Sequence, residues 1–155
     1  MSEVDAMRMW NMKAFNEKEK IRELIKEAMR MREFSYTPYS HFRVGAALLA
    51  KSGAVYGGCN IENAAYSPTN CAERTAFFKA VSEGEKEFSM IAVVGGAETA
   101  NNLGYCSPCG VCRQVMMEFC NPQEFMVIMA KNEEEYKVMS LAELVPEGFG
   151  PGNLG

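Results

Sequence analysis

Three cysteines and one glutamate, brought in by two short segments, carry the chemistry open to this sequence. The segments are Asn70-Cys71-Ala72-Glu73-Arg74-Thr75-Ala76 and Pro108-Cys109-Gly110-Val111-Cys112-Arg113. Zinc takes thiolate, imidazole or carboxylate ligands, and a Cys-x-x-Cys pair supplies two sulfurs from one tight segment. Cys109 and Cys112 form such a pair, and Cys71 offers a third sulfur from elsewhere in the chain. Three protein ligands leave the fourth tetrahedral position to water, the arrangement of a catalytic rather than a structural site. Glu73 lies two residues beyond Cys71 and reaches that open position if Cys71 starts a helix with the metal over its first turn. A carboxylate so placed takes a proton from the water and returns it to a leaving group.

Both ligand segments read as helix N-termini. Thr69 or Asn70 serves as an N-cap before Cys71, and Pro108 stands as a first helical residue before Cys109. The positive end of a helix dipole favours thiolate over thiol. Three thiolates and Zn²⁺ sum to a negative site, which blunts acidification of water. Arg74 and Arg113 each adjoin a ligand and could offset that charge by hydrogen bonding to sulfur, with Arg74 expected to matter more. Alone, Cys109-x-x-Cys112 fits a redox pair, a structural zinc site or a catalytic one; Cys71-Ala72-Glu73 decides for catalysis. A rival four-sulfur structural site would recruit Cys106, but Pro108 divides it from the helix carrying the other two. Cys59 reads as a buried strand thiol and Cys120 as a helix-end thiol. His41 is the single histidine, so a histidine-based triad or a two-histidine metal site is excluded unless subunits share it.

The elements that must position these residues follow from pattern. Asn16 to Glu19 reads as a capping box opening a helix with an apolar stripe of Ile21, Leu24, Ile25, Ala28 and Met31. Apolar runs at 44–50 and 54–59 flank Lys51-Ser52-Gly53, a hairpin signal. A polar connection over 60–69 leads to a helix over 71–83 that ends at Gly84. A buried strand over 90–94, a loop over 95–107 and a helix over 109–119 come next. Strands over 125–130 and 136–139 precede a capping box from Ser140 to Glu143 and a short last helix. The order α-β-β-α-β-α-β-β-α predicts a three-layer α/β/α fold on a mixed sheet of about five strands. Such folds place their sites at one end of the sheet.

Composition narrows the partners. The 155 residues suit one domain, and 48% hydrophobic content is enough for a core. We expect an N-terminal extension over 1–16 and a single catalytic domain over 17–155. The net charge of −4, with no run of Lys or Arg, argues against polymeric nucleic acid and for a small uncharged substrate. No run of eighteen apolar residues predicts a membrane span, and no secretory h-region stands at the start, so a cytoplasmic protein is expected. In that setting six cysteines read as thiols or ligands rather than a disulfide framework.

Cys-Ala-Glu-Arg-Thr-Ala followed by Pro-Cys-Gly-x-Cys-Arg-Gln resembles the cytidine deaminases, specifically the small homotetrameric class. Zinc deaminases as a group use a three-cysteine option and a glutamate that is not a ligand. The resemblance extends to Tyr39-Ser40-His41-Phe42, Val44-Gly45-Ala46-Ala47 and Gly58-Cys59-Asn60-Ile61-Glu62-Asn63-Ala64, and spans about Ile21 to Leu154. It implies one Zn²⁺ per chain held by Cys71, Cys109 and Cys112, with Glu73 as the catalytic acid/base. It implies deamination of cytidine and 2′-deoxycytidine in pyrimidine salvage, and a homotetramer. It assigns Asn60 and Glu62 to the sugar and Phe42 to packing on the pyrimidine, with Ile61, Asn63, Ala64, Ala65, Tyr66 and Ala72 also against substrate. Tyr66 and Phe149 are the implied cross-subunit aromatics. Other readings are a deaminase for a modified cytosine compound and a non-catalytic zinc module. Glu73 speaks against the module, because a structural site needs no carboxylate at an open position.

Overall fold

The computed structural model describes all 155 residues. Helix α1 spans Glu3–Arg32 and departs most from expectation. Ser2 is its N-cap, accepting from the Asp5 amide at 3.1 Å. The Asn16–Glu19 motif is therefore interior to a helix rather than its start. No Gly or Pro interrupts residues 3–32, and a mid-helix Asn costs well under about 1 kcal/mol, so nothing in the chain stops the helix there. The two halves differ in packing. Ile21, Leu24, Ile25 and Ala28 are buried against the sheet, whereas residues 1–13 are exposed.

Strands β1 (Phe42–Ala50) and β2 (Val55–Cys59) form the expected hairpin. Helix α2 (Ala72–Ser82) follows, then β3 (Phe88–Ala97), α3 (Gly110–Phe119), β4 (Met126–Ala130), β5 (Tyr136–Ser140) and α4 (Leu141–Leu144). Strand β3 is longer at both ends than the 90–94 run, because β1 pairs with it from Phe42↔Ala97 to Ala50↔Phe88. The ladder thus carries Gly95 and Gly96 into a strand that their own propensity does not favour. Gly84, at φ +98°, follows the end of α2 as expected. The Ser140–Glu143 capping box is present.

The five strands lie in the order β2-β1-β3-β4-β5. Only β3 and β4 pair in parallel, so the sheet is mixed. Alternation then sorts side chains to two faces. Ala47, Leu49, Ala92, Val94, Ile128 and Ala130 pack with the buried stripe of α1. Ala46, Leu48, Ile91, Val93, Val127 and Met129 pack on the other face with Ala76, Phe77 and Ala80 of α2 and Cys112 and Met116 of α3. Each fully buried aliphatic side chain contributes about 1.5–3 kcal/mol. This is the expected α/β/α sandwich.

Strand directions fix where chemistry can gather. Both β2 and β3 run antiparallel to β1, so β2, β3 and β4 share a direction. The start of β1 and the ends of β2, β3 and β4 therefore lie at one end of the sheet. Phe42, Asn60 and the loop leading to Cys109 all come from that end.

Candidate active site

Cys71 and Cys109 are the N-caps of α2 and α3, each with extended backbone (φ −74°, ψ 157° and φ −67°, ψ 165°). This shifts the expected boundaries by one or two residues. Thr69 and Asn70 are not caps, and Pro108 precedes the helix rather than opening it. At α3 the sulfur itself caps, Cys109 Sγ receiving the Cys112 amide at 3.4 Å, whereas the Cys71 side chain makes no capping hydrogen bond. Helix α2 is set in place by Gly58 of β2, where a Cβ would lie 2.3 Å from the Ala72 carbonyl oxygen and 2.6 Å from the Ala76 nitrogen. Thr75 ties the same turn to its surroundings. Its hydroxyl accepts from Asn70 Nδ2 at 3.2 Å and lies 3.0 and 3.2 Å from the Cys59 and Cys71 carbonyl oxygens. Thr75 was not singled out by sequence, although it sits within the quoted motif.

The three thiol sulfurs of Cys71, Cys109 and Cys112 lie within 4.8 Å of one another, and Cys71 and Cys109 are 3.7 Å apart. A tetrahedron with metal–sulfur bonds of about 2.3 Å has an edge of about 3.8 Å, so this spacing fits zinc. All six cysteines are free. Cys106 is outside the cluster: it packs on Gly95, where a Cβ would meet its sulfur at 2.7 Å. The four-sulfur alternative is thereby set aside. Cys59 and Cys120 are buried as expected, and burial raises both thiols.

Electrostatics at the cluster favour a metal and a base. The Cys71 thiol is lowered to about 5, first by its hydrogen bond with Cys112 and then by Arg74. Cys112 is raised by the same hydrogen bond and by burial. Arg74 Nη2 donates to Cys71 Sγ at 3.3 Å. Its Nε is buried without an acceptor, which leaves the guanidinium donor capacity for a more anionic cluster. Arg113 does something else. Its Nε and Nη1 each donate at 2.8 Å, to the carbonyls of Pro108 and Leu144, pinning the start of α3 to α4. Glu73 is 4% exposed, and burial followed by the nearby Cys71 charge pushes its carboxyl up to about 7. A carboxyl held there can both accept and release a proton near neutrality. The donor set fits one zinc ion per chain.

An open cavity of about 580 Å³ has a lining that includes Phe42, Asn60, Glu62, Tyr66 and Thr69. Antiparallel pairing of Ile61 with Asn70 joins it to the metal segment, with amide–carbonyl distances of 2.9 Å in both directions. Asn60 is largely committed to β1: its Oδ1 accepts from Val44 N and its Nδ2 donates to the Phe42 carbonyl, both at 2.9 Å. One amide N–H remains for a ligand. The Asn63 side chain instead closes a turn with the Ala65 amide at 2.9 Å, and this turn carries Ala64 and Ala65 to Tyr66, a left-handed residue at φ +62°. Ala72 is buried in the first turn of α2. Phe149 stands apart from this cavity; its carbonyl accepts from Gln114 Nε2 at 3.0 Å and its side chain is exposed. Tyr39 and Ser40 also line the cavity, and sequence offered them only as part of a matched segment.

Residues 18–129 match the model of the cytidine and deoxycytidylate deaminase zinc-binding region. A cytidine deaminase of Sporosarcina psychrophila is 50% identical over 134 residues, covering 86% of this chain and 94% of that protein. One from Halalkalibacterium halodurans is 51% identical over 126 residues, covering 81% and 91%. Among solved structures, the cytidine deaminase of Burkholderia pseudomallei is 45% identical, with a TM-score of 0.74 over 82% of this chain and 97% of that one. With a cysteine cluster fit for zinc, a buried carboxyl beside it and a match over most of its length, the chain belongs to the cytidine and deoxycytidylate deaminase family.

Proposed function

We propose that this chain hydrolyses cytidine and 2′-deoxycytidine to uridine and 2′-deoxyuridine with release of ammonia. The observation that carries the reading is the clustering of three thiols with the buried Glu73, joined through the Ile61–Asn70 pairing to the segment that lines an open cavity. Cys71, Cys109 and Cys112 hold the metal. When bound, zinc supplies a Lewis acid that brings the pKa of water toward neutrality. Glu73 takes one proton from the attacking water and passes it to ring N3 as the oxygen bonds to C4. It then takes the second proton from the C4 hydroxyl and delivers it to the amino group as the C4–N bond breaks, leaving the C4 carbonyl. One water is consumed and one ammonia leaves. Arg74 compensates the thiolate charge.

Phe42 packs on the pyrimidine, Glu62 accepts from a sugar hydroxyl, and the remaining Asn60 N–H donates to the sugar. Ile61, Asn63, Ala64, Ala65, Tyr66 and Ala72 complete the substrate contacts. The negative charge of Glu62 favours free nucleosides over nucleotides. Residues 17–155 form the catalytic domain and 1–16 an N-terminal extension, most of it the first half of α1. The protein works in pyrimidine salvage, in the cytoplasm, as a homotetramer. Tyr66 and Phe149, at 72% and 57% exposure, are the aromatics that we assign to contacts between subunits. No helix is long and apolar enough to cross a membrane.

Ultraviolet monitoring of cytidine and 2′-deoxycytidine with zinc-quantified protein tests the reaction. Loss of cytosine absorbance with equimolar ammonia, at about one zinc per chain as one three-ligand site requires, is expected. Fully zinc-loaded protein that converts neither nucleoside overturns the proposal.

A further inference from the structure

The loop between α1 and β1 is fastened beside the segment that carries Glu62. Tyr36 N donates to the Asn60 carbonyl at 3.0 Å, and Glu62 N donates to the Tyr36 carbonyl at 2.9 Å. Thr37 is buried, and its carbonyl accepts from His41 N at 3.1 Å. At the other end, Glu98 N donates to the His41 carbonyl at 2.7 Å. Ser40 is thus held between two fixed points.

Ser40 meets Glu62 twice. Its amide donates to Oε1 and Oε2 at 3.3 and 3.1 Å, and its hydroxyl donates to Oε1. The same hydroxyl accepts from the Phe42 amide at 3.1 Å. One side chain therefore links the carboxylate assigned to the sugar with the strand start that carries the aromatic assigned to the base. A carboxylate has about four lone-pair sites. Ser40 draws chiefly on Oε1, so Oε2 keeps capacity for a ligand hydroxyl. Without the Ser40 hydroxyl, Glu62 would keep only the backbone amide contact, and more of the ordering of its torsions would fall on substrate binding.

We infer that Ser40 is a positioning residue for nucleoside binding, acting through Glu62 to set the sugar hydroxyl contact. The inference rests on the proposed reading of Glu62 as the sugar ligand. It concerns binding rather than the chemical step, since Ser40 has no contact with Glu73 or the thiols among its hydrogen bonds.

Ser40→Ala, Ser40→Thr and Glu62→Ala are compared with the parent on cytidine and on 2′,3′-dideoxycytidine, which lacks the 2′ and 3′ ring hydroxyls that the Glu62 contact requires and keeps only the 5′. Zinc content and circular dichroism are checked for each. Ser40→Ala should raise KM for cytidine about tenfold, the loss expected for one hydrogen bond to a charged group, with kcat within about twofold. On the dideoxy substrate its kcat/KM should stay within about twofold of the parent, and Ser40→Thr should restore most of the cytidine KM. Glu62→Ala should show the same selectivity, more strongly. If Glu62→Ala loses equally on both substrates, the sugar reading falls and the inference with it. If Glu62→Ala is selective but Ser40→Ala is not, or acts on kcat alone, the sugar reading survives and the role of Ser40 is refuted.

Discussion

Gly58→Ala probes how the sheet positions the site, because β2 touches helix α2, whose first turn carries Glu73, at this residue. The added methyl would lie 2.3 Å from the Ala72 carbonyl oxygen, 2.6 Å from the Ala76 nitrogen and 3.1 Å from the Ala76 Cβ. Cβ atoms essentially never come closer than 3.0 Å, so the contact must open by at least about 0.7 Å. Two of the three neighbours are backbone, so no side-chain rotation relieves them. Overpacking of this kind costs about 1–3 kcal/mol. For a domain of this size that corresponds to a Tm lower by about 3–10 °C. The displaced turn begins at Cys71 and includes Glu73. Misplacing a catalytic group by most of an ångström lowers turnover by about 10- to 100-fold. Calorimetry, zinc content and cytidine turnover would be measured together, with Gly104→Ala as the control because nothing lies within 4 Å of a Cβ there. A Gly58→Ala protein that matches the control in Tm, and the parent in turnover, refutes the idea that this glycine sets the position of α2.

Arg74→Gln should retain zinc but turn over about 10- to 100-fold more slowly and lose metal to chelator faster, since a charge-assisted hydrogen bond to Cys71 is removed. Chelator competition and steady-state rates check both effects. The cysteines should separate cleanly: Cys71→Ser loses zinc and activity, while Cys106→Ser keeps about one zinc per chain and most turnover because its sulfur is outside the cluster. Metal analysis of the two variants decides it.

The sheet and both ligand helices were legible because their cues were local and agreed with one another. Strands such as β1 are apolar on both faces, with Ala47 and Leu49 toward α1 and Ala46 and Leu48 toward α2. Runs of that kind announce burial but not partners, so strand order and the extension of β3 through Gly95 and Gly96 depended on pairing that sequence does not display. The Asn16–Glu19 motif misled for a related reason. It has the residue types of a cap, but capping requires extended backbone at Asn16, and the run from Glu3, free of Gly and Pro, keeps that backbone helical. At the site, residue types identified the thiol cluster, whereas the use of Asn60 to brace β1 and of Arg113 to brace α4 is set by tertiary neighbours. Cysteine as N-cap was missed because oxygen-bearing side chains are the usual signal.

The measurement that bears most directly on the mechanism is turnover of Glu73→Gln at full zinc occupancy. Gln nearly matches Glu in shape but cannot shuttle the proton. Zinc at about one per chain, with turnover lower by at least about 10²- to 10⁴-fold, is the expected result. Near-parental turnover with zinc fully bound would contradict the role of Glu73 as the acid/base of the reaction.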